Sequence, residues 1–166
     1  MITVEELMTP DPFTLQETDS VDDAWKIMTE KHVRHIPITD ADNHVLGLVT
    51  QRDVLAASEP VSIREADGSS DNVHSDTNLS DIMIKNVKVI HLSNHLRQAA
   101  LYMQSHKHGC LPVVSDDKLV GIITDSDFVS IAINLIEQVE LLEEQADSDD
   151  FLDDVEMPEV EEDEWN

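Results

Sequence analysis

The chain has 166 residues, of which 40% are hydrophobic and only 4% aromatic, so Leu, Ile, Val and Met must build its core. Its formal net charge of −26 excludes nonspecific binding to a phosphate backbone, because that attraction comes from Lys and Arg. A single cysteine excludes an internal disulfide, and no apolar stretch reaches the ~20 residues of a membrane helix. We therefore expect a soluble, cytoplasmic protein with neither nucleic-acid nor membrane partners.

The first predicted elements are a short strand at 12–15 and an amphipathic helix after it. The apolar residues of the helix follow i, i+3, i+4, i+7 spacing, which places them on one face: Val21, Ala24, Trp25 and Met28. Ser20 or Asp19 can cap the start of this helix.

Two further strands and a second helix follow. The segment 35–39 predicts a strand, and Pro37 indicates a sheet edge or the point where a strand enters a sheet. A polar turn at 40–43 leads into an apolar strand at 45–49. The second helix is predicted to begin at Thr50.

The second half of the chain repeats the first. Residues 4–55 align with 79–129 at an offset of 75 residues, which becomes 74 after a one-residue deletion. The aligned motifs are HIPI at 35–38 with CLPV at 110–113, and GLVTQRD at 47–53 with GIITDSD at 121–127. Each half has the order β-α-β-β-α, the second opening on a strand at 87–90. Because roughly 50 residues bury too little surface alone, we expect an α/β (α+β) fold in which both repeats pack with pseudo-twofold symmetry.

The alignment divides the chain into four segments. They are repeat 1 at 1–58, a flexible linker at 59–75, repeat 2 at 76–136, and an acidic helix extension with a disordered tail at 137–166. The last helix is predicted to continue to about residue 145. Residues 137–166 carry 15 Asp and Glu but no Lys or Arg, which is typical of a solvated tail. Alternatively, the tail docks on a basic protein surface through the apolar residues among its acids, Phe151, Leu152, Val155, Met157 and Trp165.

A Thr-x-x-Asp motif opens the second helix of each repeat, as Thr50 with Asp53 and as Thr124 with Asp127. The motif can be a capping box, which contributes about 1 kcal/mol and needs no ligand. It can also bind a nucleotide, because a carboxylate accepts from both hydroxyls of a ribose and a helix N-terminus favours anions. The duplication favours ligand binding at one or both helix starts.

These motifs, in this order and given twice, resemble the cystathionine β-synthase (CBS) domain family, a tandem pair of which forms a Bateman module. The resemblance rests on Leu7-Met8-Thr9-Pro10, His35-Ile36-Pro37-Ile38, Cys110-Leu111-Pro112-Val113 and the two glycine-led motifs at 47–53 and 121–127. It covers roughly residues 1–58 and 76–136. It implies an open α/β unit with two clefts, which in the family often bind AMP, ADP, ATP or S-adenosylmethionine.

The resemblance also implies which residues hold the ligand. The residues implied are Asp53 and Asp127 for the ribose, Thr50 and Thr124 for the ribose or phosphate, the backbone of His35, Ile36 and Pro37 or of Cys110, Leu111 and Pro112 for adenine, and Thr9 with Pro10, or Ile84 with Lys85, for closing the cleft. Apolar side chains at these positions equally suit a core.

The two predicted clefts differ in charge. Arg52 and Arg34 accompany the first cleft, where they can bind phosphate or can be solvated surface charges. The second cleft has Ser126 and Gly109 at the matching positions, and Asp125 adds negative charge. The lysines that can compensate are Lys85 and Lys107. We predict that the first cleft prefers a phosphorylated adenosine and that the second is weaker, empty or suited to a less anionic ligand.

His106, His108 and Cys110 alternate as side chains do along one face of a strand, and their types suit zinc or copper. A helix C-terminus that favours cations, followed by a buried thiol, explains them without a metal, and we predict none. The sequence has no nucleophilic constellation and no glycine-rich phosphate loop, so we expect neither catalysis nor an obligatory cofactor.

We therefore predict a stand-alone regulatory protein that binds an adenosine-containing ligand and signals to a protein partner. The resemblance implies a homodimer, since members of the family commonly pair. The alternative is a constitutive dimeric adaptor that acts through its acidic tail.

Overall fold

The computed structural model describes residues 2–58 and 77–153, with the backbone alone over 146–153. The predicted linker at 59–75 lies outside these residues. The chain divides into two compact units, Met1–Asp127 and the segment from Phe128 onward. Among the described residues, no helix is long and apolar enough to cross a membrane.

The fold is a mixture of α and β elements, as the sequence predicts. The strands are β1 (Thr9–Pro10), β2 (His35–Thr39), β3 (Val45–Thr50), β4 (Ile84–Lys85), β5 (Ile90–His91), β6 (Cys110–Ser115) and β7 (Lys118–Thr124). The helices are α1 (Val21–Lys31), α2 (Gln51–Ala57), α3 (Leu79–Ile82), α4 (Leu96–His106) and α5 (Asp125–Asp153).

Helix α1 forms where the apolar spacing predicts it. Its buried residues are Val21, Ala24 and Met28, while Trp25 is only partly buried. Ser20, rather than Asp19, caps the helix. The Asp23 N–H donates to Ser20 Oγ at 3.2 Å, and the Ser20 N–H donates to Asp23 Oδ2 at 3.0 Å. The helix ends at His32, whose φ of 54° lies in the left-handed region.

The two repeats exchange strands. The three-stranded sheet has the order β2-β3-β4, and the four-stranded sheet has the order β1-β7-β6-β5. Strand β1 precedes α1 in the chain but pairs with β7 of repeat 2, Thr9 opposite Ile122. Strand β4 precedes α4 but pairs with β3 of repeat 1, Ile84 opposite Leu48. Each sheet is therefore completed by residues of the other repeat.

Two matched glycines permit this exchange. A Cβ added at Gly47 would lie 2.8 Å from the Ile84 carbonyl oxygen and 2.8 Å from Met83 Sδ. A Cβ added at Gly121 would lie 2.5 Å from Met8 Sδ. A side chain at either position would push the incoming strand away, so packing requires glycine at both.

The predicted pseudo-twofold relation extends to individual hydrogen bonds. The Val4 N–H donates to the Asn94 carbonyl at 2.9 Å, and its counterpart, the Leu79 N–H, donates to the Asp19 carbonyl at 2.8 Å. A β-bridge joins His44 and Lys118, which are equivalent residues in the two repeats. A bridge between equivalent residues marks the place where the pseudo-twofold axis passes.

Three predicted elements differ from the structure. The strand predicted at 12–15 is reduced to a single bridge from Leu15 to Ile38, because the rest of the segment meets no strand. Only the end of the strand predicted at 87–90 forms, as β5. Helix α5 runs to Asp153, beyond the end predicted near residue 145, so the first part of the predicted disordered tail is helical. Residues 154–166 lie outside the described part of the chain.

The second unit presents apolar side chains to solvent along α5. Those exposed by about half or more are Val129, Ile133, Leu135, Ile136, Val139, Leu141 and Leu142. The helix carries no Lys, Arg or His; residues 128–136 are uncharged, and Glu137, Glu140, Glu143 and Glu144 follow them. This unit is therefore apolar and acidic at once.

Candidate functional site

The predicted capping box at Thr50 is complete, and at Thr124 the bonds from the threonine to Asp127 are formed. The Thr50 N–H and hydroxyl donate to Asp53 Oδ2 at 2.8 and 2.7 Å, and the Asp53 N–H donates to Thr50 Oγ1 at 3.3 Å. The Thr124 N–H and hydroxyl donate to Asp127 Oδ2 at 2.6 and 3.0 Å. Both Asp side chains are half-buried. Capping thus engages Oδ2 of each carboxylate, and both threonines lie at the junction of a strand with a helix.

A cavity of about 500 Å³, here cavity 1, opens beside Thr50. Repeat 1 contributes Arg34, His35, Leu48, Thr50, Gln51 and Arg52 to its lining. Repeat 2 contributes Ile84, the segment 106–110 and Asp125. The cavity is therefore composite, because it brings the start of α2 together with the end of α4.

A second cavity of about 240 Å³, here cavity 2, opens beside Thr124. Its lining residues are Thr9, His32, Val33, Arg34, His35, Ile122, Thr124, Asp125 and Ser126. These positions largely repeat those of cavity 1 under the pseudo-twofold axis, with Thr9 for Ile84, Thr124 for Thr50 and Ser126 for Arg52. The two cavities are thus equivalent in origin but different in size and composition.

Arg34, His35 and Asp125 line both cavities and form a shared wall. Arg34 Nη2 donates to Ser126 Oγ at 3.3 Å, which joins the two repeats. The His35 ring lies against Gly109, where an added Cβ would be 3.0 Å from His35 Nε2. Glycine at position 109 therefore leaves room for the imidazole between the cavities.

Cavity 1 concentrates positive charge in a chain of net charge −26. Arg34, Arg52 and Lys107 line it, together with three histidines, and Asp125 is the one acidic residue among the described lining. In cavity 2, Arg34 is the one Arg or Lys of the described lining. Cavity 1 is therefore the stronger candidate site for an anion.

Burial controls protonation at the centre of the site. It lowers the pKa of His35 below its ordinary value of 6.5, against the opposing attraction of the Asp125 carboxylate. Burial also raises the pKa of the Cys110 thiol to about 12, and Asp125 adds to that shift. A thiol in this state is protonated at neutral pH, so Cys110 offers no nucleophilic thiolate.

A model of the CBS domain matches residues 4–60 and 79–134, more than half of the chain. The chain belongs to the CBS domain family. This CBS pair resembles the crystal structure of a candidate acetoin utilization protein, AcuB, from Vibrio cholerae, with 47% identity and a TM-score of 0.69 over 84% of this chain and 96% of that one. It also resembles CBSX2 in complex with AMP, with 29% identity and a TM-score of 0.66 over 81% and 98% of the two chains.

Curated relatives of the CBS pair include longer proteins. A homoserine O-acetyltransferase from Methanohalobium evestigatum is 32% identical over 125 residues, which are 75% of this chain and 23% of that protein. The chain thus spans about a quarter of the length of such relatives.

The structure brings together only part of the predicted site of the CBS pair. The predicted residues that line one or both cavities are Thr9, Arg34, His35, Thr50, Arg52, Ile84, Cys110 and Thr124. The predicted residues outside both linings are Pro10, Ile36, Pro37, Lys85, Leu111, Pro112, Asp53 and Asp127. Of these, Ile36, Pro37, Leu111 and Pro112 are fully buried, so their side chains belong to the core.

Strand exchange also moves residues between the predicted sites. Lys107, which the sequence suggests for the second cleft, lines cavity 1 beside Thr50. His106 and His108 line cavity 1 too, although the sequence suggests them only as metal ligands or as residues at a helix C-terminus and predicts no metal. Among the described residues, no group of three or more His, Cys, Asp or Glu is placed to hold a metal ion. The repeat alignment, which matches residues 106–110 to residues 31–35, is the sequence signal that could have predicted these lining residues.

Proposed function

We propose that this CBS pair is a regulatory module that binds a phosphorylated adenosine in cavity 1. The observation that carries the proposal is the clustering of Arg34, Arg52 and Lys107 in one composite cavity of a strongly acidic chain. At about 500 Å³, the cavity falls within the ~300–1,000 Å³ of small-molecule sites. CBSX2, a relative at 29% identity, was crystallised with AMP, which supports the same ligand class here.

The proposed roles follow from the chemistry of each side chain. Arg34 and Arg52 bind phosphate oxygens through paired N–H groups, and Lys107 adds a point charge. The Asp53 carboxylate lies beside Thr50 and accepts from the ribose hydroxyls when it turns from its capping position.

The charge of cavity 1 also discriminates between the candidate ligands. Phosphates of AMP, ADP or ATP are attracted to its three cations, whereas the sulfonium and ammonium groups of S-adenosylmethionine are repelled. Cavity 2, with one arginine opposed by Asp125, suits a less anionic adenosine derivative.

Regulation would follow from the composite character of cavity 1. A ligand that contacts both repeats stabilises one arrangement of the pair and shifts the population towards it. We propose that a protein partner of a cytoplasmic homodimer recognises that arrangement, and that the module itself has no catalytic activity and no obligatory cofactor.

Calorimetric titration with AMP tests the proposal on a matched pair of variants. Asp53→Ala and Asp23→Ala each remove a capping box of the same geometry and should each cost about 1 kcal/mol of unfolding free energy. Only Asp53→Ala should also weaken AMP binding, by roughly tenfold or more, because Asp53 caps at Thr50, which lines cavity 1, whereas Asp23 caps at Ser20, which lines neither cavity. Equal AMP affinity in both variants would show that Asp53 is only a cap.

A thermal-shift panel checks the ligand class independently. AMP, ADP or ATP should raise the melting temperature of the wild-type protein, and S-adenosylmethionine should raise it less. No shift with any of the four ligands, together with no heat on titration with AMP, would refute the proposal.

A second candidate function is that of a dimeric adaptor acting through the acidic C-terminal segment. The exposed apolar side chains of α5, beside acids unaccompanied by any Lys or Arg, favour it. Such a helix suits a contact with another protein better than it suits bulk water.

A further inference from the structure

The wall shared by the two cavities has a consequence for ligand binding. We propose that an anion bound in cavity 1 weakens anion binding in cavity 2, because both anions require the guanidinium of Arg34. This inference rests on the proposed function and adds a regulatory coupling to it.

Arg34 serves both cavities but can face only one phosphate at close range. In the structure, its Nη2 donates to Ser126 Oγ at 3.3 Å, and Ser126 lines cavity 2. Cavity 1 has Arg52 and Lys107 besides Arg34, whereas the described lining of cavity 2 has no further Arg or Lys. An anion in cavity 1 that recruits Arg34 therefore leaves cavity 2 with Asp125 as its dominant charge.

The repeat alignment explains this dependence. Ser126 occupies the position of Arg52, and Gly109 occupies the position of Arg34. Repeat 2 thus lacks both arginines of repeat 1, and cavity 2 obtains its one arginine from repeat 1. Gly109 permits Arg34 to line both cavities, since a side chain at position 109 would displace the His35 ring next to Arg34.

Thermodynamic linkage makes the coupling reciprocal. If occupation of cavity 1 lowers the affinity of cavity 2, an anion in cavity 2 must lower the affinity of cavity 1 by the same factor. Couplings of this kind usually amount to roughly 5- to 150-fold in affinity. The pair would then respond to successive ligands over a wider concentration range than two independent sites.

The test is calorimetric titration with AMP of the double variant Arg52→Gln, Lys107→Gln at constant ionic strength. Both residues line cavity 1 alone, so their loss should disable that cavity and leave Arg34 to cavity 2. We expect the remaining binding step to be roughly fivefold or more tighter than the second step of the wild-type protein. General loss of positive charge predicts the opposite change, because it weakens every anion site.

Two additional substitutions in the double variant identify the site and the arginine. Ser126→Asp should abolish the remaining step, which assigns it to cavity 2, and Arg34→Gln should remove the gain in affinity. A remaining step that is unchanged or weaker, or a gain that survives Arg34→Gln, would overturn the coupling while leaving the proposed function standing. Failure of wild-type protein to bind AMP at all would overturn both.

Discussion

At the residue scale, His35 and Cys110 occupy equivalent positions in the two repeats but lie in different environments. Cys110 is buried as a neutral thiol within a cluster that includes Leu48 and Ile122. His35 lies between the two cavities, where burial favours the neutral imidazole and Asp125 favours the charged one. Because the balance lowers its pKa below 6.5, His35 links folding to pH.

The pH dependence of stability has a definite sign. Between pH 6.5 and the lowered pKa of His35, the unfolded chain binds more protons at this residue than the folded protein, so stability falls as pH falls through that window. His35→Cys, which copies repeat 2, should lose less unfolding free energy between pH 7.5 and 5.5 than wild type, measured by urea denaturation. Asp125→Asn should lose more unfolding free energy over the same pH range than wild type, because it removes the negative charge that opposes the effect of burial on the pKa of His35. The other charged groups that shift the pKa of His35 are Arg34 and Asp53, and both variants retain them.

At the element scale, the exchanged strands β1 and β4 explain where prediction from sequence succeeds. The starts of α1 and α2 depend on neighbours within four residues. The sequence predicts the start of α2 at Thr50, which is confirmed, and leaves the cap of α1 open between Ser20 and Asp19, of which Ser20 is the one used. The pairing of β1 with β7 depends on a partner more than a hundred residues away, which a repeat pattern does not reveal. The composition of cavity 1 depends on the meeting of the two repeats, so the sequence does not place His106 and His108 there and assigns Lys107 to the other cleft.

Two errors have local causes. The segment 12–15 has a strand-like composition, but Phe13 is 48% exposed and only Leu15 meets another strand. The acidic residues after 145 predict disorder, whereas α5 continues to Asp153. The stretch 128–153 contains no Gly or Pro, and nothing in it breaks a helix.

The matched glycines give a prediction about strand exchange. Gly47→Ala and Gly121→Ala should each destabilise the fold by about 1–3 kcal/mol, because the new methyl group meets the incoming strand. Both glycines face a carbonyl oxygen as well as a methionine, but the oxygen of Ile84 would lie 2.8 Å from a Cβ at Gly47, whereas that of Thr9 would lie 3.1 Å from a Cβ at Gly121, where Met8 Sδ at 2.5 Å is the nearer atom. Chemical denaturation should therefore show that Met8→Ala partly rescues Gly121→Ala.

The equivalent methionine substitution in the other pair, Met83→Ala, should not rescue Gly47→Ala. Met83→Ala should leave most of the cost of Gly47→Ala in place, because the backbone oxygen at 2.8 Å cannot move aside. Equal rescue at both positions would mean that side chains alone set the separation of these strands.

At the scale of the whole molecule, the apolar stripe of α5 bears on assembly. Phe128, Leu135, Val139 and Leu142 recur with spacings of seven, four and three residues, which places them on one face of the helix. The first half of the helix, up to Ile136, has no charge after Asp127 to oppose contact with a second copy. We therefore place the proposed homodimer contact on this stripe and the proposed partner contact on its acidic flank.

Sedimentation measurements test that assignment. Leu135→Ser with Val139→Ser should convert a dimer into a monomer, whereas Asn134→Ser with Gln138→Ser, on a neighbouring polar face, should not. A dimer that persists in the first variant, or a wild-type protein that is monomeric at micromolar concentration, would exclude the stripe as the dimer contact. Binding to a basic partner, if it uses the acidic flank, should weaken as salt is raised.

The reciprocal placement of β1 and β4 has one more consequence. Each half of the chain holds the strand that the other half needs and lacks the one it needs itself. Two copies of a single half could each supply the strand that the other lacks, as subunits that exchange strands. The architecture is therefore that of an intertwined dimer joined into one polypeptide. In a single chain the halves are free to diverge: repeat 1 has Arg34 and Arg52, and repeat 2 has neither arginine and shares Arg34 through cavity 2.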